Sequence, residues 1–199
     1  MRLPYVSNPP TFTSDSDNAI VQRVQARRGS RGLIPLDLAL LHSPPVADGW
    51  NSFLGAIRTG TTLPASVLEL AICRVAALNN AWYEWDAHAP LLQRADPALY
   101  TDAVMQYVLT SPAYAGHRQT DDGYGAADGR SGLGERELAV LAYTDAMTRS
   151  VEVPEAVWAR MRAVFGEREM VEVTGVVAAY NCVSRFLVAL DVGEKNGSR

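Results

Sequence analysis

A chain of 199 residues can bury a sizeable core in one domain, and 48% apolar with 20% charged residues argues against a disordered or fibrous protein. A net charge of -4 gives no reason to expect a nucleic-acid partner, and the short basic stretch from Arg23 to Arg31 reads as a solvated segment. The start, "MRLPYVSNPPTF", lacks the apolar core of a secretory signal, and no run approaches the ~18 apolar residues of a membrane span, so a cytoplasmic protein without a membrane partner is expected.

In chain order, residues 1–18 carry Pro4, Pro9 and Pro10 and no helical period, and read as an extended arm. "DSDNAIVQRVQARR" opens on capping residues and sets Ile20, Val21 and Val24 at helical spacing, which predicts a helix from about Asp17 to Arg28 ended by Gly29 and Gly32. "IPLDLALLHS" predicts a short helix stopped by Pro44 and Pro45. In "VADGWNSFLGAIRTG", Trp50, Phe53, Leu54 and Ile57 form one stripe and Gly60 is placed as a C-cap. "LPASVLELAICRVAALNN" is apolar nearly all round, as a central helix is. A further helix begins at Ala81 and runs into "APLLQRA", where Pro90 removes a backbone donor and predicts a kink or an early stop. "PALYTDAVMQYVLTS" supplies another.

Residues 115–134, "AGHRQTDDGYGAADGRSGLG", hold six glycines and no apolar period, and predict a long loop of the kind that forms functional lids or insertions. Three more helices follow in "ERELAVLAYTDAMTR", "PEAVWARMRAVF" and "EREMVEVTGVVAAYNCVSRFLVALDV". No alternating strand pattern occurs, so the expected fold is all-α, a single helical domain over residues 19–192 with a tail at 193–199. "LELAICRVAALNN" and "VEVTGVVAAYNC" share a glutamate near the start and an asparagine near the end, a faint sign of a duplicated helical unit.

Several residues are candidates for chemistry. Cys73 and Cys182 are far apart and do not form a dithiol pair, so each reads first as a small buried hydrophobe. Glu69 shares its helix face with Ile72, Cys73 and Ala76, while Arg74 points elsewhere. Its carboxylate is therefore either partly solvated in a pocket or met by a partner from another helix.

The densest stretch is "NNAWYEWDAH". Glu84 and His88 stand at i, i+4, where a carboxylate can hold an imidazole in one tautomer and leave the other ring nitrogen to move a proton. The bland alternative is an exposed helical pair. Trp82, Tyr83 and Trp85 are candidate walls for a dry substrate pocket, and His42 is either a second imidazole for it or a cap on the preceding helix. His117 reads as a surface residue of the loop. One histidine and two carboxylates make no convincing zinc site, so no metal is expected. No serine sits in a strand-turn-helix elbow.

The stretch "LELAICRVAALNNAWYEWDAHAPLL" resembles the alkylhydroperoxidase / carboxymuconolactone decarboxylase superfamily. Likeness of style extends through "LIPLDLALLHSPPVADGW" before it and "LAVLAYTDAMTR" to "FLVAL" after it. The resemblance implies an alkylhydroperoxidase-like helical bundle, a cavity made by the central helices, and homo-oligomers (dimers, trimers or hexamers). Peroxidase members have a Cys-x-x-Cys pair at the positions of Ala81 and Glu84, with the relay glutamate at Glu69 and the distal histidine at His88. The sulfurs are absent here and the relay is kept. Decarboxylase members resemble this chain in having a glutamate four residues before the histidine.

The resemblance therefore implies a cofactor-independent acid/base enzyme, a lyase or isomerase rather than a thiol peroxidase. It would decarboxylate, isomerise, eliminate or cyclise a small unsaturated or aromatic organic acid, lactone or polyketide-like compound, with His88 as proton shuttle, Glu84 as its orienting partner and Glu69 as a second carboxylate. A divergent oxidoreductase and a non-catalytic small-molecule-binding oligomer are the alternatives.

Overall fold

The computed structural model describes residues 1–114 and 131–197. Most of the expected loop at 115–134, with His117, lies outside the described residues. Among those described are nine α-helices, one short 3-10 turn and no strand, as an all-α chain requires. They divide into two compact units, one made of Met1–Thr61 with Phe186–Arg199 and the other of Thr62–Arg185.

In the first unit, α1 (Asp15–Arg28) starts at Ser14, whose hydroxyl accepts from the Asp17 amide, and carries acid in its first turn and arginine in its last, in line with the helix dipole. Gly29, at φ 59°, ends it by entering a conformation that costs other residues a clash. The short helix α2 (Pro35–Leu40) follows, and α3 (Pro44–Thr59) opens on the proline pair, where the missing donor is one the first turn does not need. Helix α3 packs on both α1 and α2. The N-terminal arm is tied down by Arg2 N–H donating to the Leu190 carbonyl (2.8 Å) and by Gly193 N–H donating to the Tyr5 hydroxyl (2.8 Å).

The second unit comprises α4 (Ala65–Leu78), α5 (Trp82–Ala95), α6 (Asp102–Thr110), α7 (Glu135–Arg149), α8 (Glu155–Val164) and α9 (Glu167–Leu190) as far as Arg185. Helix α4 is its axis, packed against α5, α6 and α7. Every residue from Val67 to Ala76 is buried, as an all-round apolar pattern predicts, and each Val, Leu or Ile so buried contributes about 1.5–3 kcal/mol. Arg74, only 1% exposed, is paid for by a bidentate pair: its Nε lies 2.6 Å from Asp145 Oδ1 and its Nη2 3.1 Å from Oδ2. The same guanidinium donates to the carbonyls of Val108, Ser111 and Pro112, and Asp145 accepts from the Tyr114 amide (2.6 Å). Arg74 thus points away from Glu69, as its position five residues on requires.

Three expectations need correction. Pro90 neither stops nor shortens α5, which continues to Ala95. Cys182 is exposed; only Cys73 is the buried hydrophobe expected of both. Helix α9 has the length and the composition to cross a membrane, with mean hydropathy 1.6 over 18 residues, of which half are buried within the chain. A count of uninterrupted apolar residues overlooks it, because Asn181, Ser184 and Arg185 interrupt the run without lowering its average far.

Candidate active site

Helices α4 and α5 are joined by a tight turn. Asn79 caps α4, and Asn80 takes a left-handed conformation (φ 52°), which asparagine tolerates better than most residues. Asn79 Nδ2 donates to Asn181 Oδ1 (3.2 Å), Asn181 Nδ2 donates to Thr148 Oγ1 (3.0 Å), and Arg185 Nη1 donates to Asn181 Oδ1 (2.6 Å), so the turn is pinned to α7 and α9. A turn this short folds α5 back along α4. Glu69, ten residues before Asn79, then lies level with His88, eight after Asn80.

The two side chains meet. His88 Nδ1 is 2.7 Å from Glu69 Oε2, with the side chains 14% and 5% exposed. The Tyr180 ring of α9 meets the imidazole edge-on, with centroids 5.1 Å apart at 85°. A carboxylate on Nδ1 fixes the ring's orientation and places its other protonation site at Nε2. The arrangement is a carboxylate–imidazole dyad braced by an aromatic edge, the equipment of general acid/base chemistry.

The role expected of Glu84 is corrected by this geometry: the carboxylate on His88 Nδ1 comes from Glu69, across the helix pair, rather than from one turn earlier on the same helix. Glu84 is 2% exposed and turned to α9, where Ser184 Oγ lies 3.1 and 3.2 Å from its two carboxyl oxygens and donates to them. Burial pushes this carboxyl well above its ordinary value of 4.5, and the Ser184 hydrogen bond offsets only part of that.

A stability consequence follows from the sign of that shift. The folded protein binds the Glu84 proton more tightly than the unfolded chain, so stability falls as pH rises from about 4.5 toward the raised folded value. Glu84→Gln, which keeps the shape and removes the ionisation, is expected to flatten this slope in urea-unfolding midpoints taken from pH 5 to 8. An unchanged slope would mean that Glu84 is not held as the neutral acid.

Of the other expected site residues, Trp85 is buried while Trp82 and Tyr83, beside it in the first turn of α5, are half-buried. His42 belongs to the first unit, and its Nε2 is 2.7 Å from the Pro4 carbonyl oxygen, so it holds the arm instead of capping its helix. Glu172, the counterpart of Glu69 in the echoed segment, accepts from the Thr62 amide and hydroxyl and from Arg168, with no histidine involved. No three His, Cys, Asp or Glu side chains among the described residues gather as a metal site. Tyr180 and Ser184 were not foreseen. Their one sequence signal is that they lie in and just beyond the segment that echoes α4.

No family model and no curated protein matches the sequence. Solved structures do. An uncharacterized peroxidase-related protein from Ralstonia eutropha JMP134 with an alkylhydroperoxidase AhpD core aligns at 18% identity and TM-score 0.70, covering 98% of this chain and 93% of its own. An uncharacterized peroxidase-related protein from Silicibacter sp. TM1040 aligns at 17% identity and TM-score 0.66, covering 98% of this chain and 95% of its own. The debrominase Bmp8 aligns at 15% identity and TM-score 0.63, covering 90% and 88%. The fold of this chain is that of these AhpD-like helical proteins.

Proposed function

We propose that this protein is an acid/base enzyme of the carboxymuconolactone decarboxylase-like kind, working without metal or organic cofactor. Its substrate is a small unsaturated or aromatic organic acid, lactone or polyketide-like compound. The observation that carries the reading is the 2.7 Å contact between His88 Nδ1 and Glu69 Oε2. With Nδ1 committed to the carboxylate, Nε2 takes a proton from one substrate carbon or oxygen and returns it to another. In a decarboxylation the C–C bond to the carboxylate breaks, carbon dioxide leaves, and the electron pair left on carbon accepts the proton from Nε2. In an isomerisation the same nitrogen removes a proton from one carbon and delivers it to a conjugated position.

Two observations support protons over electrons. Ala81 and Glu84 stand where the resembling peroxidases have their two cysteines, and the two cysteines present, one buried and one exposed, make no pair. A similar fold has been solved as a cysteine-to-alanine debrominase variant in complex with 2,3,4-tribromopyrrole, which supports a small aromatic ring as the size of ligand to try.

The test is a panel of small aromatic and unsaturated acids and lactones incubated with the protein in deuterium oxide and read by mass spectrometry. Deuterium on carbon, with or without loss of carbon dioxide, is the expected result, and Cys182→Ser should retain it in full. Ligands that bind without any exchange would sink the acid/base reading in favour of a binding protein. Turnover lost in Cys182→Ser would favour an oxidoreductase.

A further inference from the structure

Three side chains from one stretch of α9 reach the α4–α5 pair. Asn181 accepts from Asn79 in the turn (3.2 Å), Ser184 donates to the Glu84 carboxyl in the first turn of α5, and the Tyr180 ring meets His88 one turn further on. All three are buried. Asn181 is itself held by Thr148 of α7 (3.0 Å) and by the Val177 carbonyl of its own helix (3.0 Å). The stretch that carries Tyr180, a residue only 4% exposed, is therefore pinned both to the turn and to the helix that carries His88.

Glu69 alone leaves one motion of the imidazole open. The ring is anchored at Cβ by the backbone and at Nδ1 by the carboxylate 2.7 Å away. A ring anchored at two points can still swing about the line between them, and Nε2 lies off that line. The hydrogen bond resists this swing weakly, because it tolerates about 30° of bending before it loses much strength. The Tyr180 ring limits the swing, with its plane at 85° to the imidazole and the centroids 5.1 Å apart. Edge-to-face is an arrangement that two aromatic rings favour, so the contact holds an angle as well as filling space.

We propose that Tyr180 is a positioning residue for the direction of proton transfer. Glu69 sets where Nδ1 sits; Tyr180 sets the plane of the ring, and with it the line along which Nε2 gives or takes a proton. The inference rests on the acid/base reading for its use, and on geometry alone for the positioning itself. Proton transfer needs its two heavy atoms about 3–3.5 Å apart and in line, so a swinging ring is misdirected for part of the time. A planar carbon that receives its proton from one fixed direction receives it on one face. Tyr180 thereby makes delivery one-sided, and a product with a new stereocentre is formed in one handedness.

Carbon-13 relaxation of the His88 ring, measured on the full chain, tests the positioning without any substrate. The wild type and Tyr180→Phe, which keeps the ring, are expected to show an order parameter of about 0.85, as a rigid backbone does. Tyr180→Leu and Tyr180→Met, which fill much of the space without a flat ring, should fall below about 0.6. Two such variants are used so that one that fails to fold does not decide the matter. With the acid of the deuterium panel that exchanges fastest, Tyr180→Leu or Tyr180→Met should lower kcat at least tenfold with KM within about twofold, and should spread deuterium from one face of the product carbon to both. Tyr180→Phe should recover the rate to within about threefold and keep the single face. A His88 ring that is mobile in the wild type, or equally ordered in Tyr180→Leu or Tyr180→Met, would overturn the proposal. So would a loosened ring that leaves rate and face unchanged, or a Tyr180→Phe variant that behaves like Tyr180→Leu, since the effect would then belong to the hydroxyl. A wild type that exchanges no acid of the panel would sink the acid/base reading instead, and the ring measurement would still decide whether Tyr180 positions His88.

Discussion

Replacing His88 by glutamine is expected to lower turnover by roughly two orders of magnitude or more while leaving the unfolding midpoint within a degree or two of wild type. Glutamine can still bond Glu69 but cannot carry a proton. The informative partner is Glu69→Gln, which keeps the imidazole and removes the charge behind it. If Glu69 acts by orienting His88, this change should also cost at least tenfold in kcat with little change in KM, and the double variant should be scarcely worse than His88→Gln alone, since residues that act as a unit lose their effect once. Costs that add in full would mean that the two groups work separately. Glu84→Gln in the same assay distinguishes the two carboxylates: its hydrogen bond runs to Ser184, so its effect on turnover should be far smaller than that of Glu69→Gln.

The largest expected loss of stability lies elsewhere, at Arg74. Arg74→Met removes the bidentate partner of Asp145 and leaves a buried carboxylate with the Tyr114 amide as its remaining described donor. Breaking a buried pair from one side costs about 3–5 kcal/mol, because the surviving charge is desolvated without compensation. Urea unfolding should show a loss of that size for Arg74→Met and a comparable one for Asp145→Ala. Removing both charges together, as Arg74→Met with Asp145→Leu, should cost clearly less than the sum. A loss below about 1 kcal/mol in the single variants would show that water reaches the pair. The carbonyls of Val108, Ser111 and Pro112 all bond to this guanidinium, so the same variants should also raise proteolytic sensitivity just after α6.

Punctuation made most helices legible. Gly29 ends α1, the proline pair opens α3, and the apolar belt of α4 marks the core because no polar face interrupts it. The site was legible in its members and misread in its pairing. The i, i+4 rule joins Glu84 to His88 because it knows only one helix, whereas a buried carboxylate takes whichever partner lowers its cost most. For Glu84 that partner is Ser184, one hundred residues on, and for His88 it is Glu69, on the neighbouring helix. The second of these was open to arithmetic. Glu69 and His88 are nearly equidistant from the Asn79–Asn80 turn, and two helices folded at a turn bring equidistant residues level. Nothing in the sequence placed Ser184, since a serine within an apolar helix is no signal of a partner. Of the kink or early stop expected at Pro90, the early stop does not occur, for a related reason: packing against α4 holds a helix through a proline that an isolated helix would not survive.

Helix α4 carries two buried polar anchors, Glu69 toward α5 and Arg74 toward α7, and is enclosed along the ten residues that bear them. In hydrogen exchange its central amides should therefore be released only by global unfolding. The carboxylate of the dyad is thus mounted on a helix that gives way only with the whole fold, so the proton-holding partner of His88 keeps a fixed place through any smaller motion of the chain.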